Sequence, residues 1–384
     1  MKAYLDNAAT TSVDAKAVEV MERAFREDFA NPSSLHKMGF EAEQYVKSAR
    51  DTFSRLLKCG KKNLVFTSGG TEGNNTAIVG TALFKESRGK HILVSAIEHP
   101  SVSEPVKFLK GRGWDIEVLP VDSEGYVSAE DLKQRIRSDT VLVSVMHVNN
   151  EIGTVEPVEE LGAVVREANP DCFFHVDDIQ GFGKIGLDIK KAGIDFLTAS
   201  AHKIHGPKGS GLLYISDRAS HIPPFMQGGG QQDGLRSGTV NVPGIAGFEC
   251  AAGIAFEGMD EAFERVRGLK KSFLSGLSDI EGISLKGPEE GSPYITSLTV
   301  EGIRAEVLLH ALEEYDIFIS SGSACASNKA HKVSPTLSGI GASKEDMEST
   351  VRFSFSRETT AEETEYTVDA LHTIIPGLRR FKRR

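Results

Sequence analysis

Four stretches of this 384-residue chain set chemically capable side chains among small ones: FTSGGTEGNN (66–75), FHVDDIQ (174–180), SAHKIHGPKGSG (200–211) and SSGSACAS (320–327). In the first, a strand-like run enters Gly69 and Gly70, and Thr71 opens a helix. Backbone N–H groups at a helix N-terminus bind anions, and glycines let a phosphate approach. The spacing is neither a G-K-[ST] phosphate loop nor G-x-G-x-x-G, and an ordinary strand–helix turn is the plainer alternative. In the second, Asp177 ends an apolar strand, where a carboxylate is costly without a partner. A protonated ring nitrogen would be such a partner; a helix cap or surface ion pair is the alternative. In the third, Lys203 follows a strand between His202 and His205 and is placed to form an imine with a carbonyl. A solvated loop lysine is the alternative there. Glycine-rich GGGQQDGLRSGT (228–239) follows, with Arg236 able to meet a phosphate or close a loop over a site.

The fourth stretch surrounds Cys325 with residues too small to pack a core. A thiolate that must reach a substrate and then an external acceptor needs that freedom. A lone cysteine otherwise reads as a small buried hydrophobe, which suits Cys59, Cys172 and Cys250. Together, a phosphate cradle, a strand-end aspartate and an imine-forming lysine are the parts a pyridoxal 5′-phosphate (PLP) enzyme needs.

The elements that must position these groups alternate along the chain. TVLVSVMHV (140–148), CFFHVDD (172–178), DFLTASAHK and GLLYIS read as buried strands, and VEELGAVVREANP as an amphipathic helix ended before Pro170. Ser128 caps a helix over VSAEDLKQRIRSD. This β-α-β order predicts a mostly parallel sheet with helices on both faces and ligands at the C-terminal strand ends. Beyond about residue 257 the pattern changes to a smaller α+β domain. It contains the helix FERVRGLKKSFLSGLSDI, the strands SPYITSLTV and VRFSFS, and a last helix TAEETEYTVDALHTII, followed by a solvated basic tail, LRRFKRR. The boundaries expected are 16–256 for the large domain, and 1–15 with 257–384 for the small one.

Composition narrows the function. The net charge of −10 disfavours a nucleic-acid partner, because phosphate backbones need a basic face. No apolar run approaches membrane-spanning length, and MKAYLDNAATT lacks a signal-peptide core. Four dispersed cysteines without C-x-x-C argue against disulfide frameworks and metal sites, and fit a reducing cytoplasm.

The motifs also resemble a family. YLDNAATT, NPSS (31–34), TSGGTEGNN, EHPSV, MHVNNEIG, HVDDIQ, SAHKIHGPKG, RSGT, SSGSAC and VRFS occur in the order and spacing of group I cysteine desulfurases of the NifS/IscS type, in the class V aminotransferase superfamily. The resemblance spans nearly the whole chain. It implies an α/β fold, PLP-dependent transferase fold type I, with a mostly parallel seven-stranded sheet in the large domain. It implies that Lys203 forms the Schiff base, Asp177 pairs with the pyridine nitrogen, Gln180 meets the phenolic oxygen and His99 stacks on the ring and moves protons. Gly70, Thr71, Ser200 and His202 would hold the phosphate, with Thr239 reaching in from a second subunit of a homodimer. Asn150 and Arg352 would grip the substrate carboxylate, with Asn7 and Ala8 nearby, and Cys325 would be the nucleophile. The implied reaction converts L-cysteine to L-alanine, leaving a persulfide on Cys325 for a sulfur acceptor: an iron–sulfur scaffold or a carrier serving thio-cofactor or tRNA thiolation. Selenocysteine lyase, or another class V aminotransferase or lyase, is the alternative. Three departures stand out: Asp178 where the family usually has alanine, His205 where some relatives have tyrosine, and the short C-terminus.

Overall fold

The computed structural model describes residues 1–321 and 334–382, with side chains to residue 380. Its strands are β1 (Ala3–Tyr4), β2 (Leu64–Thr67), β3 (His91–Ser95), β4 (Asp115–Leu119), β5 (Thr140–Met146), β6 (Phe173–Asp177), β7 (Phe196–Ser200), β8 (Gly211–Ile215), β9 (Ile283–Lys286), β10 (Ile295–Val300), β11 (Ile317–Phe318), β12 (Ser320–Ser321) and β13 (Thr350–Ser354). Seven of them form one sheet in the order β2-β8-β7-β6-β5-β3-β4. Only β8 runs against the others, pairing antiparallel with both β2 and β7. The mostly parallel seven-stranded sheet expected from the sequence is therefore present.

Period two explains why both faces are apolar. Val143, Phe174 and Leu197 pack into a core with Phe53, Leu161 and Phe248 from helices. Their strand neighbours Leu142, Phe173 and Phe196 join a separate core with Ala77, Ile78 and Val102. Successive residues thus feed opposite faces, and helices cover each. The parallel strands carry their C-terminal ends to one edge, and Thr67, Ser95, Met146, Asp177 and Ser200 all end there. That edge is where ligands of such sheets bind.

A second sheet, β12-β13-β10-β9, is antiparallel throughout. β1 pairs in parallel with β11, and Ala3, Leu5 and Ala8 share a core with Leu298, Phe353 and Leu371. The N-terminal segment is thereby drawn onto the later part of the chain and across the edge of the large sheet.

The final helix, Ala361–Lys382, departs from the sequence reading, which ended it at Ile375 and left a tail. It continues through Pro376. Proline removes a helical N–H, but Leu378 packs on the second core and Arg379 Nε donates to Glu301 O at 3.1 Å, which holds the extra turns down. Among the described residues, no helix is long and apolar enough to cross a membrane.

Candidate active site

The strand-end glycines open a cavity of about 340 Å³ bounded by Thr10, Ser68, Gly69, Gly70, Thr71, Glu72, Ser200, His202, Lys208 and Gly209. The helix Gly70–Lys85 aims its N-terminus here, with Gly69 at φ +151° turning the chain out of β2. A Cβ on Gly70 would come within 2.0 Å of Ile179 Cδ1, so a larger residue here would have to displace the Ile179 side chain. Helix N–H groups, hydroxyls and an ammonium make this a cradle for a dianion. Lys208 and Thr10 belong to it and were missed in the sequence. Arg236 instead forms an ion pair with Glu72 (2.9 Å), bracing the glycine-rich segment against this helix.

Asp177 stands at the end of β6 with its carboxylate buried. Oδ1 accepts from Ile179 N–H (3.0 Å) and Oδ2 from Asn74 Nδ2 (2.8 Å). Burial raises its proton affinity, while His99, these hydrogen bonds and Lys203 oppose the rise. Asn74 is the centre of a buried network. It also donates to Ser101 Oγ (2.8 Å), and its Oδ1 meets His175 Nε2 (3.1 Å), whose Nδ1 meets Ser144 Oγ (2.8 Å). Burial pushes His175 down to about 3, so its ring stays neutral.

His99 caps the helix Pro100–Lys110, its Nδ1 accepting from Ser101 N–H at 3.1 Å. That bond puts the ring proton of the neutral form on Nε2. Burial lowers its pKa, Asp177 raises it and Lys203 lowers it, which places all three groups within one electrostatic neighbourhood. Behind His99, Glu98 is fully enclosed, with Oε1 accepting from Ser95 Oγ (2.6 Å) and Met146 N–H (2.7 Å). Burial drives its carboxyl well above the usual range, and its two accepted bonds tie the end of β3 to the end of β5.

Lys203 lies in a short turn, Ala201–Lys203, directly after β7, and donates to the carbonyls of Ala8 (2.6 Å) and Ala9 (2.8 Å). Gln180 Nε2 donates to the same Ala8 oxygen at 2.9 Å. His202 meets Thr10 Oγ1 at 3.2 Å, and burial with Lys203, Lys208 and Lys184 lowers it to about 4. Ser200 is buried at the end of β7. The N-terminal loop YLDNAATT thus supplies the carbonyls that hold Lys203 and Gln180.

Arg352 on β13 is buried beside this loop. Nη2 pairs with Asp6 Oδ1 (2.9 Å), and Nη1 donates to the backbone oxygen of Asn150 (2.8 Å). Its buried Nε meets no acceptor among the described residues. Asn150 therefore meets Arg352 by its carbonyl. Asn7 Nδ2 donates to Tyr4 O and Ser354 O, tying the loop to β13, and the residue lines a second cavity beside Lys203. Thr239 is exposed and lines neither cavity. Cys325 lies outside the described residues. Asp178 turns to His147, Oδ1 to Nδ1 at 2.6 Å, so the extra carboxylate is paired.

Of the three cysteines expected to be buried, Cys172 is, while Cys59 and Cys250 are half-buried, so the expectation holds only for the first. Burial pushes Cys59 up to about 11 and Cys172 up to about 12, and also raises Cys250.

Residues 3–367 match the family model for the class V aminotransferases. A protein named cysteine desulfurase IscS, from Dictyoglomus turgidum, is 40% identical over 378 residues, covering 98% of this chain and 95% of that one. A solved structure described as a NifS-like protein superposes with a TM-score of 0.92 at 36% identity, covering 98% of this chain and all of that one. Another, described as SspA in complex with cysteine, gives 0.81 at 33% identity, with 94% and 100% covered.

Proposed function

This chain belongs to the class V aminotransferase family and is a cysteine desulfurase of the IscS/NifS type, and from that premise we propose how its residues divide the work. The enzymes of this family depend on PLP. The observation that carries the reading is the meeting of an anion cradle, Asp177, His99 and Lys203 at one edge of the sheet.

The residues fit PLP. The cradle at Gly70, Thr71, Ser200 and His202, with Lys208, suits its phosphate, Asp177 its ring nitrogen, Gln180 its phenolic oxygen and His99 its face. When bound, it supplies an aldehyde for an amine and a ring that accepts electrons from the substrate's α-carbon. Lys203 Nζ would hold the aldehyde and, as a free amine, would serve as the base for the substrate's α-proton. Two donated hydrogen bonds favour the charged form of Asp177, which would hold a proton on the ring nitrogen of bound PLP. Arg352 binds the carboxylate of L-cysteine, with Asp6 and the Asn150 carbonyl fixing its plane and Asn7 anchoring the loop alongside. His99, with its proton on Nε2, moves a proton at the substrate thiol. The Cys325 thiolate takes the substrate sulfur: a C–S bond breaks, an S–S bond forms, and L-alanine leaves.

The persulfide then passes to an acceptor protein, an iron–sulfur scaffold or sulfur carrier. A homodimer is the assembly that the family resemblance implies. Exposed Thr239 would then face the partner's cradle. The domains divide at 16–256 and 1–15 with 257–384. Free thiols at Cys59, Cys172 and Cys250 fit a reducing cytoplasm.

The test is alanine formed from L-cysteine with a thiol reductant present. Cys325→Ala should abolish it while the protein stays yellow. Full activity in that variant would mean that sulfur transfer does not run through Cys325.

A further inference from the structure

We propose that Arg236 is a positioning residue for the cofactor, one that sets the net charge of the anion cradle by neutralising Glu72. The inference rests on the reading of that cavity as the phosphate site. Its lining includes one carboxylate, Glu72, and one ammonium, Lys208. His202 adds no charge near neutral pH, since burial first, then Lys203, Lys208 and Lys184, push its ring down to about 4. Left to itself the lining would carry no net charge, which makes a poor host for a dianion. Glu72 does not escape by taking up a proton. Burial favours its neutral form, but its bonds to Arg236 and Ser68 outweigh burial and hold the carboxyl below its usual range.

Arg236 is placed to cancel that charge. Its Nε donates to Glu72 Oε1 (2.9 Å) and its Nη2 to Oε2 (3.2 Å), the two-pronged contact that a guanidinium makes with a carboxylate. Oε2 also accepts from Ser68 N–H (2.8 Å), so the same carboxylate draws the turn after β2 onto the first turn of the cradle helix. The glycine-rich segment holds Arg236 in position. Gln232 Oε1 accepts from Phe66 N–H and Nε2 donates to Phe66 O, both at 2.7 Å, along the outer edge of β2. Ser237 N–H donates to Met226 O (3.1 Å) and Gly230 N–H to Ser237 Oγ (3.3 Å), which closes the segment on itself around Arg236. With Glu72 matched in this way, the charge of Lys208 and the helix N–H groups are left for the phosphate.

The experiment measures how fast PLP leaves the loaded enzyme on dialysis, at low and at high salt. Arg236→Met should lose it about tenfold faster than native at low salt, the order expected when a unit charge beside the phosphate is no longer cancelled. The gap should narrow at high salt, because screening weakens the repulsion. Glu72→Gln keeps an oxygen for Ser68 N–H and removes the charge, so it should retain PLP at least as well as native. The double variant, Arg236→Met with Glu72→Gln, should return close to the native rate. Were Arg236 only a tether, the double variant would lose PLP as fast as Arg236→Met. That result, faster loss from Glu72→Gln alone, or native retention in Arg236→Met would overturn the proposal. Lys208→Met tests the reading beneath it: if that variant keeps PLP as the native enzyme does, the cavity is not the phosphate site, and that reading fails independently of Arg236.

Discussion

Arg352 and Asp6, separated by 346 positions in sequence, meet in a partly buried ion pair with Nη2 and Oδ1 2.9 Å apart. The pair fixes the guanidinium plane, and the Asn150 carbonyl fixes it a second time. Arg352→Lys keeps the charge and loses the fork, so kcat/KM for L-cysteine should fall at least about tenfold, mainly through KM. Asp6→Ala strands a buried cation, and breaking such a pair costs about 3 kcal/mol. Steady-state kinetics on the first variant and thermal denaturation of the second check these outcomes. A native KM in Arg352→Lys would remove Arg352 from substrate binding.

Asp177→Asn should lose at least about a hundredfold in alanine formation, in the range seen when one preorganised electrostatic group is removed. The cause is not only the lost charge. An amide at 177 that keeps its oxygen toward Ile179 N–H turns its N–H₂ onto the Asn74 N–H₂, two donors facing each other. Flipping Asn74 would relieve that contact but would turn its N–H₂ toward the ring of His175 and end its donation to Ser101. A modest drop in melting temperature should therefore accompany the loss of rate, and the companion change Asn74→Ala should destabilise the fold by about 2 kcal/mol or more, because several buried polar atoms lose partners.

The network just described marks the limit of what the sequence made legible. Asp177, Lys203 and Gly70 could be placed because each sits where an apolar strand gives way to small or polar residues, and parallel sheets collect such ends at one edge; Ser200 came only from the family resemblance. Asn74 lay within the quoted glycine-rich stretch, yet no local signal gave its contact with Asp177, 103 positions away. The same holds for Asp6 with Arg352 and for Asp178 with His147, since ion pairs across distant segments leave no period in the chain. The final helix ran past Pro376 because tertiary contacts at Leu378 and Arg379 outweighed a local breaker.

Gly70→Ala should weaken cofactor retention more than it weakens the fold. The added methyl meets Ile179 Cδ1 at 2.0 Å and Cγ1 at 2.9 Å, so helix and loop must separate or Ile179 must rotate. Overpacking of this kind costs about 1–3 kcal/mol. Opening the helix N-terminus from the β6 loop spreads the cradle, so PLP should leave the variant faster on dialysis. Retention equal to native would show that Ile179 rotates and leaves the cradle unspread.

Glu156 offers a test of the fold's pH dependence that leaves the chemistry alone. It is buried, its Oε2 accepts from Val127 N–H at 3.1 Å, and burial raises its carboxyl from 4.5 to about 8. A raised carboxyl stays protonated in the folded chain while the unfolded chain has already ionised. The stability tied to it is therefore full below about 4.5 and drains away as pH climbs toward 8. Glu156→Gln keeps an oxygen for Val127 and has nothing to ionise. Its melting temperature should match native near pH 4 and exceed it increasingly up to pH 8. The gap should reach a few kcal/mol, because each tenfold difference in proton affinity between folded and unfolded chains is worth about 1.4 kcal/mol. Parallel native and mutant stability curves across that range would mean that Glu156 is ionised in the folded protein and that its burial is less complete than the geometry gives.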